Sequence, residues 1–311
     1  MDIAKFSGDL IRLALEHGWQ DISFYPEENH YKITYRKANH SGLFKKVSFA
    51  DGCKIIGRFK YLGEMDVGED RRGQLGSFSY KLEGCQQRLR LTTVGDYRQR
   101  ESLAIRLLFQ RGVQVSQYAP KKLPHILKEA ICERGLYLFC GPVGSGKTTL
   151  MYEIASQFKG QVITIEDPVE IEEPLFLQLQ INQKIDQDYD ALIELTLRHH
   201  PDLLIIGEIR NRLTAQAAIR AALTGHFVFA TLHARSLANI TTRMNELSQN
   251  PFDLKECLQG SVYQEMFLKQ GEPTVVGGYQ FYKQQQMILD YPFEKALAAY
   301  DKEWKNGKKK A

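Results

Sequence analysis

The segment CGPVGSGKTT, Cys140 to Thr149, combines three glycines with a lysine and two neighbouring threonines. Gly141 and Gly146 bracket four residues ahead of Lys147 and Thr148, which is the G-x-x-x-x-G-K-T spacing of a phosphate-binding loop. Glycines let a backbone wrap closely around an anion, so that amide N–H groups and the start of the following helix point at phosphate oxygens. The expected binding set is Gly141, Gly144, Ser145, Gly146, Lys147, Thr148 and Thr149. Lys147 would contact the β- and γ-phosphates, and Thr148 would hold Mg²⁺, partly through water.

Phosphoryl transfer to water also needs a group that orients the attacking molecule. In DLLIIGEIR, Glu208 follows the apolar run Leu203–Ile206, at the strand end where such sheets meet their ligands, while Gly207 stands where a metal-binding aspartate is usual. In VITIEDPVE, Glu166 and Asp167 end another apolar run and Pro168 stops it, so both carboxylates are expected at the same sheet edge. Solvated loop charges are the alternative reading. In TGHFVFATLHA, His226 and His233 flank a third run. A histidine can sense a γ-phosphate by hydrogen bonding, or simply satisfy local backbone.

These side chains require a scaffold that brings several strand ends together. The fully apolar runs Gly135–Cys140, Val162–Ile165, Leu203–Ile206 and Phe227–Thr231 read as strands buried on both faces, and the spacing predicts helices at Thr148–Phe158, Tyr189–His199 and Leu213–Leu223 between them. That alternation is the pattern of a mostly parallel sheet with helices on both faces. Residues 1–110 instead mix short strand-like runs (Tyr31–Arg36, Gly76–Leu82, Arg88–Thr93) with helical patterns at Asp9–Gly18 and Lys54–Leu62, the signature of a smaller α+β module. Pro120, Pro124 and a Lys-Lys pair mark residues 111–124 as a linker, leaving 125–311 as the second domain. A strand pair from Pro273 and a helix over Phe293–Trp304 precede a Lys-rich tail, which reads as solvated.

Composition narrows the class. The chain has 311 residues, 43% of them apolar, enough for a sizeable core. No apolar run approaches the ~20 residues that span a bilayer, and the N-terminus lacks a signal-peptide pattern, so a cytoplasmic protein is expected. Five scattered cysteines without a C-x-x-C pair argue against disulfides and against zinc. The net charge of +4 is uneven, with 19 Lys+Arg against 14 Asp+Glu in residues 1–120, too mild a bias to indicate nucleic acid. No N-K-x-D motif for reading guanine occurs.

The order of the motifs resembles that of a known family. Phosphate loop, ITIEDPVE, LRHHPDLLIIGEIR and AALTGHFVFATLHA follow one another as do the Walker A, Asp box, atypical Walker B and His box of the GspE/PilB/PilT-type secretion and pilus-assembly ATPases. The resemblance implies a RecA-like P-loop ATPase domain preceded by a PAS-like α+β domain, with ATP and Mg²⁺ as cofactors. It implies Glu208, Glu166 and His233 as catalytic positions. RLRLTTV and LAIRLL are similar to the family's run of N-terminal arginines that reach the nucleotide, which assigns Arg90 and Arg106 to that role, with Arg88 as a weaker match. A homo-hexamer working on a polytopic membrane platform protein, at the inner face of the cell membrane, is further implied. The four-cysteine zinc insertion and the large extra N-terminal domain of many members are missing, and what remains is close in layout to the Gram-positive competence ATPases (ComGA-like). Those would power assembly of a transformation pilus for DNA uptake; pilus retraction and type II secretion are the alternatives within the family. A DNA-dependent translocase should show basic, aromatic-rich loops for single strands, which the C-terminal half lacks. A nucleotide-gated scaffold would suit the missing Walker B aspartate, but Glu208, Glu166 and His233 argue against it.

Overall fold

The computed structural model describes residues 1–37, 40–82, 85–108, 117–182, 185–269 and 272–308. The chain falls into two compact units, Met1–Gly112 and Val113–Ala311.

The first unit opens with α1 (Ile3–His17), where Asp2 accepts from the Lys5 N–H at the N-terminus and Gly18 closes the other end in a left-handed conformation. Strands β1 (Asp21–Pro26), β2 (His30–Lys37) and β3 (His40–Ser48) lead to α2 (Phe49–Leu62), capped by Ser48. Strands β4 (Gln74–Leu82), β5 (Cys85–Gly95) and β6 (Glu101–Leu108) complete a six-stranded sheet of order β3-β2-β1-β6-β5-β4, antiparallel throughout. Period-2 alternation sends Ile22, Phe24, Ile33, Leu89, Leu91, Leu103 and Ile105 to one face, where they pack with Leu10, Ile11 and Ala14 of α1 and Ile55, Ile56 and Phe59 of α2. The other face carries a row of register partners that runs Arg36, Asp21, Arg106, Arg90 across four strands. Lys60 is buried in this unit and donates to two acceptors, the Glu69 carbonyl and the Glu101 carboxylate, each at 2.8 Å.

The second unit holds a nine-stranded sheet flanked by helices on both faces. Its first elements are β7 (Gln117–Ala119) and α3 (Leu123–Ala130), both within or overlapping the stretch read from sequence as a linker. The strand is too short to show periodicity and owes its place to long-range pairing with β14 (Glu272–Lys283). Residues 111–116 lie outside the described residues. The parallel core of β10 (Leu177–Gln180), β9 (Val162–Glu166), β11 (Leu203–Ile206), β12 (Phe227–Leu232), β8 (Gly135–Cys140) and β13 (Leu258–Lys269) follows in that spatial order, and β14 and β15 (Gln286–Tyr291) extend it antiparallel. The sheet is therefore mixed, because hairpins close its last third.

Alternate residues of β8 feed two cores. Leu136, Leu138 and Cys140 join α5 (Tyr189–Leu197), α6 (Arg212–Leu223), α7 (Asn239–Ser248) and α8 (Pro251–Cys257) on one side. Tyr137 and Phe139 join α3 and α4 (Lys147–Ala155) on the other. The final helix, α9 (Phe293–Lys308), buries Ala296 and Tyr300 against β14. Among the described residues no helix is long and apolar enough to cross a membrane.

Candidate nucleotide-binding and active site

The phosphate-loop segment leaves the C-terminal end of β8 and enters α4. Two of its glycines are required by geometry. Gly141 has φ +146°, and a Cβ there would lie 2.0 Å from the Gln264 carbonyl oxygen of β13. Gly146 has φ +83°, with Met266, Val275 and Gln264 at 3.3 to 3.5 Å from the site of a Cβ. Gly146 also occupies the N-cap of α4 and brings no side chain to its first-turn N–H groups, which leaves them for an anion. Lys147 Nζ donates to the carbonyls of Gly141, at 3.0 Å, and Pro142, at 2.9 Å. Burial lowers its pKa, with negative charge nearby, including Glu208 and Glu170, opposing the shift. Thr148 and Thr149 are half-buried in the first turn. A glycine cradle, a helix N-terminus and one half-buried ammonium fit a polyphosphate, and the Thr148 hydroxyl fits a magnesium ion completed by phosphate and water oxygens.

Glu208 stands just beyond β11. Its Oε1 is 3.1 Å from His233 Nε2 and its Oε2 accepts from Arg210 Nε at 2.7 Å. The carboxylate is 18% exposed, while His233 and Arg210 are open to solvent. The bond to Glu208 is also what raises the pKa of Arg210. The segment is held by backbone: Gly207 N–H donates to Ile165 O at 2.8 Å, and Ile209 N–H to Thr231 O at 2.9 Å. Gly207 has a local reason to be glycine, since a Cβ would meet the Ile165 carbonyl and the Tyr189 hydroxyl at 3.1 Å. An aspartate there would require these neighbours to give by a few tenths of an ångström. The two histidines of TGHFVFATLHA end at opposite ends of β12. His226 precedes the strand, its Nδ1 3.1 Å from Ala221 O and 3.2 Å from Thr224 Oγ1, a structural contact, whereas His233 follows the strand and meets Glu208.

Glu166 ends β9 but turns inward, only 4% exposed. Its Oε1 accepts from the Tyr152 hydroxyl of α4 and from Thr164 Oγ1, the latter at 2.7 Å. Gln178 Nε2 in β10 donates to the same Tyr152 hydroxyl at 2.8 Å and to Ile171 O at 2.8 Å. Burial pushes the Glu166 pKa up, against the two donated bonds. Asp167 alone of the pair is exposed. Arg90 and Arg106 face one another across β5 and β6 in the first unit, and Arg106 Nε donates to Asp21 Oδ1 at 2.7 Å.

Sequence reasoning passed over Arg210, Tyr152 and Gln178. Arg210 was legible in principle, because residues two apart in an extended segment share a side and Glu208 needs a counter-charge. Tyr152 sits on the helix face given to the core, and nothing local separates its hydroxyl from that of any buried tyrosine.

The family described as Type II/IV secretion system protein matches residues 2–275. Among curated relatives, the competence protein ComGA of Streptococcus pneumoniae is 46% identical over 85% of this chain and 84% of its own length. ComGA of Bacillus subtilis is 36% identical over 82% and 73%, and the type IV pilus assembly ATPase TfpB of Acinetobacter baylyi is 33% identical over 85% of this chain and 46% of its own. In fold, the chain is similar to the Legionella pneumophila ATPase DotB (TM-score 0.69, 19% identity, 94% of this chain and 84% of that one). It is likewise similar to the pilus retraction motor PilT with bound ADP (TM-score 0.67, 22% identity, 94% and 86%). A family match over most of the chain, with a loop built for phosphates and relatives at this identity, means that the chain belongs to the Type II/IV secretion system protein family, as one of its ATPases.

Proposed function

We propose that this chain is the cytoplasmic ATPase of a competence pilus, hydrolysing ATP to power pilus assembly for DNA uptake. In this reading it works as a homo-hexamer against a polytopic membrane platform protein at the inner face of the cell membrane. The second unit is a RecA-like nucleotide-binding domain and the first a PAS-like domain that supplies arginines. The observation that carries the reading is the convergence, at the C-terminal ends of parallel strands, of the Gly141–Thr149 cradle, the Glu208–His233 pair and buried Glu166. The 46% identity to a competence protein selects pilus assembly from among the family's tasks.

The residues divide the work. The loop amides and Lys147 bind and orient the triphosphate, and they are pre-set by β13 and by α4 before reaction. Thr148 would hold a magnesium ion, which would supply neutralisation of the phosphate charge. Glu208 orients the attacking water and accepts its proton, while His233, bonded to the same carboxylate, reports the γ-phosphate to it. Glu166 stays behind this line, fixing α4 to the end of β9 through Tyr152. Arg90 and Arg106 lend guanidinium charge to the transferring phosphoryl group.

Lys147→Ala tests the reading. ATP turnover should fall by about 10² or more, and transformation should be lost with the protein still present. Unchanged transformation in that strain, or wild-type turnover that appears only when single-stranded DNA is added, would overturn it.

A further inference from the structure

Strand β13 lies parallel to β8 with Tyr263 opposite Cys140, so Gln264 falls level with the start of the phosphate-binding loop. Its backbone and side chain touch the two ends of that loop. The Gln264 carbonyl oxygen occupies the space a Cβ on Gly141 would need. The Gln264 amide, Nε2, donates to the Ser145 carbonyl at 2.7 Å across 119 residues of sequence. The side chain is fully buried, and its Oε1 finds no partner among the described residues, as is true of Ser145 Oγ.

A buried amide with half its capacity unmet lowers stability relative to an apolar residue of equal size. Packing therefore does not account for a glutamine at this place; the donated bond does. A trans peptide sets its C=O and N–H on opposite edges of one plane. Holding the Ser145 carbonyl toward β13 turns the Gly146 N–H the other way, at the N-cap of α4, where anions are received.

We infer that Gln264 is a positioning residue for the ATPase reaction: its amide grips the Ser145 carbonyl and thereby aims the Gly146 N–H at a phosphate oxygen of the bound nucleotide. The inference rests on reading Gly141–Thr149 as the nucleotide site.

The experiment measures the affinity of the full-length protein for a fluorescent ADP analogue, together with its Tm without nucleotide. Gln264→Met keeps the volume and removes the donor. It should raise the Kd about tenfold, the equivalent of one lost hydrogen bond of ~1.4 kcal/mol, with kcat changed less than KM and the nucleotide-free Tm near wild type. A Kd within about twofold of wild type would overturn the inference. Should that variant not fold, Gln264→Glu decides, because its carboxyl donates to the Ser145 carbonyl only when protonated. Affinity should then weaken between about pH 6 and about pH 9 more steeply than in the wild type; an equal slope overturns the inference. Lys147→Ala serves as the reference. If it also leaves ADP affinity intact, the site assignment itself fails, whereas loss there with none in Gln264→Met removes only the role of Gln264.

Discussion

At the scale of single residues, the site separates two carboxylates by environment. Glu208 is partly exposed and held between Arg210 and His233, so it is a charge-paired group, and its charge also acts on Lys147 of the loop. Glu166 is withdrawn from water and accepts from two hydroxyls, neither of which carries charge. Its folded pKa lies above the ordinary 4.5 because desolvation outweighs those bonds. Between 4.5 and the folded value the native protein holds a proton that the unfolded chain has released, so stability falls as pH rises through that window. Glu166→Gln removes this titration while keeping an acceptor for Tyr152 and Thr164. The Tm of the variant relative to the wild type should therefore climb as pH rises through the window and then level off. Calorimetric melts at a series of pH values check it, and a difference that does not vary with pH would show that the fold does not raise the Glu166 pKa.

At the scale of elements, the loop between β8 and α4 is shaped by a strand that arrives much later in the chain. The three glycines are not equivalent. Gly144 has φ +76° with nothing within 4 Å of a Cβ, so Gly144→Ala meets only backbone strain, about 1 kcal/mol. Gly141→Ala drives its methyl into the Gln264 carbonyl and forces β8 and β13 apart. It should cost several times as much, roughly 3 kcal/mol, and abolish nucleotide binding. Melting curves with and without ADP distinguish the two, and equal effects would mean that β13 does not constrain the loop. This contrast marks the limit of what the chain reveals unfolded. The apolar runs at Gly135–Cys140, Val162–Ile165, Leu203–Ile206 and Phe227–Thr231 are continuous because both faces of those strands are covered, so they read as β8, β9, β11 and β12 almost to the residue. The motifs at their ends carry the groups proposed for binding and water orientation, at the C-terminal edge that such a sheet exposes. By contrast, β13 breaks its apolar pattern with Ser261, Gln264 and Glu265, and β1 is a half-buried strand with one polar face. Neither stood out, since what stabilises them is pairing and contact with distant residues. The inward turn of Glu166 was hidden likewise: it depends on Tyr152 and Gln178, which local spacing does not connect to it.

At the scale of the whole molecule, the groups proposed for catalysis are divided between two compact units. Lys147, Glu208 and His233 belong to Val113–Ala311, and Arg90 and Arg106 to Met1–Gly112. The arginines stand side by side on the sheet face opposite α1 and α2, a like-charge pairing that Asp21 offsets for Arg106. Two guanidinium groups held adjacent on a strand pair disfavour each other until an anion is shared between them. In the proposed homo-hexamer, a nucleotide held by a neighbouring copy would be such an anion, and a ring would present one to every protomer. Turnover per protomer should accordingly rise steeply with protein concentration and then reach a plateau, while Arg106→Ala should lower the plateau by about 10³ without moving the concentration at which it is reached. Steady-state ATP hydrolysis over a dilution series, paired with sedimentation, measures both. A specific activity that stays constant down to concentrations where sedimentation finds only single chains would mean that each chain is catalytically complete, and the arginines of the first unit would then have to act, if at all, within their own chain.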